Sequence, residues 1–260
     1  AFIHFEGLLI IKFYPVMKLF FFVFINVILS NCIFGQYLKV SYNYNTNIAD
    51  VSMSFQANSE LILDESKSIY KIDFANSNSS MIDDESVFVV KPKKGEVFYY
   101  KDYNTDSIYY DNVVIFRHYP TKDPLNIFKW ELTSETKKIL GYECQKAVMQ
   151  HYGRIYEAYF TTELEFNRGG PWKFDGLPGV ILEIKSKDNY LSITANEIQL
   201  KNESIIINNP YPKKQKYIDF LEYKRLFNQK YKENNKTEIT SDGGTVTQSS
   251  PKCHIECLVD

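Results

Sequence analysis

The chain has 260 residues, 44% hydrophobic and 24% charged, proportions that exclude a disordered or fibrous protein. Its 30 Lys plus Arg face 32 Asp plus Glu, a net charge of −2, so there is no basic excess to hold a phosphate backbone and no nucleic-acid partner is expected.

The first 35 residues differ from the rest. Met17 and Lys18 precede an apolar run from Leu19 to Leu29, broken only by Asn26, and the small or polar Ser30, Asn31, Cys32 and Gly35 follow. This order is the n-region, h-region and cleavage zone of a secretory signal peptide. A transmembrane helix needs about 20 apolar residues, more than this stretch supplies, so no span is expected in the mature chain. Cleavage after Gly35 leaves Gln36 as the first mature residue, although Leu29 to Cys32 also resembles a lipobox with Asn31 out of pattern. Residues 1–16 read as an upstream extension. The expectation is export to the periplasm, the outer membrane or the medium.

Beyond the leader, alternation of period two recurs. Leu38, Val40, Tyr42 and Tyr44 alternate with polar positions, and Val51, Met53 and Phe55 repeat the pattern. Ile69 to Phe74, Val87 to Val90, Val97 to Tyr100, Ile108 to Tyr110 and Val113 to Phe116 continue it as an antiparallel meander over 37–118. A second set runs through Glu143 to Gln150, Arg154 to Thr161, Val180 to Ser186, Tyr190 to Ile198 and Ser204 to Ile207. No linker separates the sets, so one sheet system is expected. The abundant tyrosines suit half-buried strands.

From Lys213 to Asn234 the chain lacks Gly and Pro. It places Tyr217, Phe220, Leu221, Phe227 and Tyr231 at helical spacings, which predicts an amphipathic helix packed on the sheet. Thr, Ser, Gly and Asp then dominate to Ser250, the composition of a mobile tail. The predicted fold class is mainly β, a curved antiparallel sheet or half-barrel meander with a C-terminal helix. Residues 36–234 form its single domain and 235–260 a flexible, Cys-containing tail.

The most specific stretch is Asn167 to Ile184, NRGGPWKFDGLPGVILEI. Pro178 and Gly179 suit the two central positions of a type II turn, Gly176 relieves the approach, and Trp172 and Phe174 cover the strand that follows. Lys173 is expected to be dispensable to stability. The residues Gly176, Leu177, Pro178, Gly179, Val180 and Ile181 resemble the GLPGLI family of bacterial envelope proteins, with Val180 departing from its pattern. Pro171 to Lys173, Leu140 to Ala147 and Lys129 to Glu131 extend the likeness. It implies export by a Gram-negative cell and carries over no activity.

Three cysteines remain after leader cleavage, Cys144, Cys253 and Cys257, and an oxidising compartment favours a disulfide among them with connectivity open. Cys253, His254, Glu256 and Cys257 supply ligand types for a metal but lack a second pair, unless His118 or His151 approaches, so no metal and no other cofactor are expected. Cys144 and His151 lie seven residues apart and face opposite sides of one strand. Asp83, Asp84 and Glu85 read as a solvated loop, and phosphate-loop, HExxH and GxSxG patterns are absent. No catalytic residue is therefore assigned. The sequence favours a non-catalytic binding or accessory protein of the cell envelope over an enzyme with a Cys/His site or a structural component. Its partner would be an apolar small molecule or another envelope protein, held by Trp130, Trp172, Phe174, Leu177 and Pro178.

Overall fold

The computed structural model describes residues 35–48, 53–81, 95–114, 117–211, 215–234, 237–239, 245–247 and 255–259. The leader up to Phe34, Val51, Val87 to Val90, Ile115 and Phe116 lie outside these.

Eleven strands form one antiparallel sheet: β1 (Tyr37–Ile48), β2 (Met53–Leu63), β3 (Lys67–Met81), β4 (Glu96–Asp102), β5 (Ser107–Val114), β6 (Arg117–Pro124), β7 (Glu131–Ile139), β8 (Tyr142–His151), β9 (Arg154–Thr161), β10 (Val180–Ser186) and β11 (Leu191–Lys201). Their spatial order is β6-β5-β4-β3-β2-β1-β11-β10-β9-β8-β7. The sheet is thus two meanders joined where β1 pairs with β11, Tyr42 opposite Ala195 and Tyr44 opposite Ile193. The alternation that marks β1 in the sequence buries Leu38, Val40, Tyr42 and Tyr44 on one face.

The sheet is not closed, and β6 and β7 are its edges. Only residues 125–130 connect them, a reach of at most about 25 Å. Two edges with nine strands between them can lie that close only if the sheet curls. The loop between β9 and β10, residues 162–179, fills the curl. Leu164, Phe166, Trp172, Phe174 and Leu177 are buried there. Trp172 packs on Tyr99 of β4 and Phe174 on Tyr156 of β9, strands separated by five others.

The helix α1 is Phe220–Asn234, shorter at its start than Lys213 to Asn234. Ile218 instead forms a bridge with Thr121 of β6, and Asp219 caps the helix by accepting the Glu222 N–H at 2.8 Å. Phe220 and Tyr223 pack with Val114 and Leu258, whereas Leu221 faces solvent. Ser204 to Ile207 is irregular rather than a strand. Parts of the expected flexible tail are ordered: β12 (Thr237–Ile239) pairs with β13 (Thr245–Thr247), and residues 255–259 dock on the body.

Candidate functional site

The hairpin from β8 to β9 turns through Tyr152 and Gly153, both at positive φ (39° and 78°), with His151 paired to Arg154. Two positive-φ residues between paired positions are the two-residue turn that matches strand twist. The C-terminal segment sits on this turn. Cys257 N–H donates to the Tyr152 carbonyl at 2.9 Å, and the Tyr156 hydroxyl donates to the carbonyl of Ile255. Glu256, between these two anchors, points inward and is buried.

Its carboxylate meets two groups. Lys173 Nζ, delivered by the 162–179 loop, donates to both oxygens at 2.6 Å, and His151 Nε2 lies 3.1 Å from Oε1. Burial alone raises a carboxyl, yet the charge of Lys173 and the hydrogen bonds from His151 and Lys173 hold Glu256 below its usual range. Burial also depresses Lys173, opposed by Glu256. The rings of Trp172, Tyr110 and Phe220 surround the ammonium, with centroids 4.4, 5.1 and 4.4 Å away.

His151 and Tyr152 also line an open cleft of about 520 Å³, together with Asp123, Gln150, Asp219 and Phe220. Asp123 accepts the Phe220 N–H at 2.9 Å through Oδ1 and the Tyr110 hydroxyl through Oδ2. The cleft joins a hydrogen-bonded imidazole, two carboxylates and two aromatic rings. An ionised Glu256 only accepts, so it fixes the neutral imidazole with its hydrogen on Nε2 and leaves Nδ1 as the ring's proton acceptor. That geometry suits proton transfer from a ligand or water held in the cleft.

A second buried charge cluster has a different task. Lys101 of β4 donates to the carbonyls of Gly170, at 2.9 Å, and Phe174, and lies 3.6 Å from Asp175, which Arg168 also engages. Burial lowers Lys101 to about 8, opposed by Asp175. These bonds satisfy loop carbonyls that the curl has removed from water.

The residues proposed from sequence to bind a partner divide by burial. Trp172, Phe174 and Leu177 are core and offer a partner no surface, because the 162–179 loop that carries them packs into the curl of the sheet. Pro178 is exposed, and Trp130 is half-buried with its indole N–H donating to the Asp175 carbonyl at 2.8 Å. At the turn, Gly179 N–H donates to the Leu177 carbonyl, a three-residue turn around Pro178 in place of type II. Gly176 and Gly179 have φ of 90° and 156°.

Cys144 is a buried free thiol, so of the connectivities left open those through Cys144 are absent. Cys257 is disulfide-bonded, and Cys253 lies outside the described residues. Cys144 and His151 occupy opposite ends of β8, Asp83 to Glu85 lie outside the described residues, and His118 pairs with Asp111 at the surface. Sequence reasoning named Glu256 only as a possible metal-ligand type and missed Lys173, Asp123 and Asp219 as site residues. The one available signal was Lys173 itself, a cation inside an otherwise apolar run beside a turn. Far from dispensable, it is buried and paired.

The family described as "N-glycanase peptide, N-terminal domain" matches residues 74–225. Two solved structures are similar, "Structure of PNGF-II in P21 space group" and "Structure of PNGF-II in C2 space group". Each is 19% identical and covers 75% of this chain, with TM-scores of 0.50 and 0.49. The chain covers only 34% and 33% of those two chains, about a third of their length. No curated protein matches. The family match overturns the GLPGLI assignment and, with it, the reading of a non-catalytic accessory protein. The motif misled because its residues answer to local packing: Gly179 lies so close to Thr161 that a Cβ there would sit 2.2 Å from the Thr161 carbonyl oxygen. Among the described residues, no helix is long and apolar enough to cross a membrane.

Proposed function

Because the chain belongs to the family of the N-glycanase N-terminal domain, which matches more than half of its length, we propose that it acts enzymatically on N-linked glycans. The family match carries this reading, and the chemistry of the cleft supports it. Sugars present hydroxyls, which carboxylates and amides accept or donate to, and apolar ring faces, which stack on aromatic rings. Asp123, Asp219, Gln150, Tyr152 and Phe220 offer both. His151, oriented by Glu256, takes a proton from the attacking water and returns it to the leaving group. The leader pattern from Met17 to Gly35 supports export, where glycoproteins are met.

The test is incubation of the full chain with a glycopeptide carrying an asparagine-linked oligosaccharide, followed by mass spectrometry of the peptide. Loss of the glycan is expected, slowed by about 10²-fold or more in His151→Ala at unchanged melting temperature. A glycopeptide left intact and unbound overturns the reading.

A further inference from the structure

The sheet face turned away from the core carries an unusual sequence. On β1, β2 and β11, Asn and Gln occupy exposed or half-exposed positions where β-branched residues are favoured, and amide side chains are depleted in strands. The register sets them in rows. Asn45 lies opposite Gln56 on one side and Ser192 on the other, and Asn43 lies opposite Asn58 and Thr194. Asn196 donates to the Asn43 side chain at 2.8 Å. Asn76 completes the wall of a hollow of about 400 Å³ bounded by Asn43, Asn45, Gln56 and Asn58. A second hollow of about 380 Å³ shares Asn58 and reaches Asn196. Charged residues rim this second hollow: Lys71 pairs with Glu96 at 2.9 Å and Glu60 with Lys39, while Asp73 accepts from the Asn76 amide and Glu197 from that of Gln199.

A local choice that opposes strand formation over two adjacent rows marks function more than architecture. Each carboxamide has two N–H donors and an acceptor on one rigid plane, which matches the paired donor and acceptor of adjacent sugar hydroxyls. The rows themselves carry no charge, so they offer nothing specific to an anion or a cation. We infer that this amide-lined face is a second ligand site, taking a neutral oligosaccharide away from the His151 cleft. The inference deepens the glycan reading and rests on it for the choice of sugar.

The probe is a free oligosaccharide of mannose and N-acetylglucosamine without acidic sugars, titrated into the full chain by calorimetry. The variant Asn43→Thr/Asn58→Thr keeps strand propensity and removes two amides. Its affinity is expected to fall roughly tenfold or more with no loss of melting temperature, and wild-type affinity is expected to be unchanged from low to high salt. Unchanged affinity in the variant, no binding by the wild type, or binding that weakens steeply with salt each overturns the site. The two readings separate cleanly. Binding lost in His151→Ala but kept in the amide variant removes this site and leaves the glycan reading standing. Binding lost in the amide variant while glycopeptide stays intact keeps the site and removes catalysis.

Discussion

Lys173 Nζ lies 2.6 Å from both carboxylate oxygens of Glu256, a residue 83 positions later in the sequence. The contact ties the C-terminal segment to the loop that fills the curled sheet, and both partners are buried.

Removing one partner therefore leaves the other charged and unpaired inside the protein. Glu256→Ala is expected to destabilise by about 3 to 5 kcal/mol, while Lys173→Met/Glu256→Leu together lose much less. Urea unfolding of the two variants measures this, and equal losses in the single and the double variant would refute it. Glu256 is held below its unfolded value, so the stability it gives is present above the ordinary glutamate range and lost as pH falls through its folded value. Glu256→Gln should flatten that acid limb.

Lys101 has a linkage of the same sign at the alkaline end. Its folded value of about 8 lies below the ordinary lysine value of 10.5, so the unfolded chain binds more protons between them and stability should rise with pH across that window. In Lys101→Met this rise disappears. Thermal melts of both proteins at several pH values from neutral upward decide the matter.

Two glycines with positive φ separate strain from crowding. At Gly179 an added Cβ meets the Thr161 carbonyl oxygen at 2.2 Å, whereas at Gly141, φ 91°, nothing lies within 4 Å. Gly179→Ala should cost about 2 kcal/mol or more, and Gly141→Ala about 1 kcal/mol, the conformational part alone. Melting temperatures that rank the two variants the other way would contradict the turn geometry.

Burial pushes the Cys144 thiol up to about 11, and only the thiolate is nucleophilic. Iodoacetamide at mildly alkaline pH should leave Cys144 unlabelled in the native protein and label it readily in urea. Peptide mapping reads the site directly.

Where most strands run was legible in the sequence, because alternation of period two survives any arrangement of the strands that buries one face, as β1 does. The sequence by itself also determined that residues 213–234 contain a helix and that Pro178 and Gly179 turn the chain. It did not reveal β6 or β7. β6, RHYPTKDP, contains two prolines, and β7, ELTSETKKI, is mostly polar and exposed. Both are the sheet's edges, and an edge strand tolerates proline and polar side chains because it is paired on one side only. The candidate site was hidden for a related reason. His151 is placed by a hairpin, Lys173 by a loop, Asp123 by an edge strand and Glu256 by the C-terminal segment, so no local spacing joins them. Only the curl of the sheet brings these four segments together. Once a cation such as Lys173 is enclosed by Trp172, Tyr110 and Phe220, the cost of leaving it unpaired selects a carboxylate from wherever in the chain the fold can deliver one.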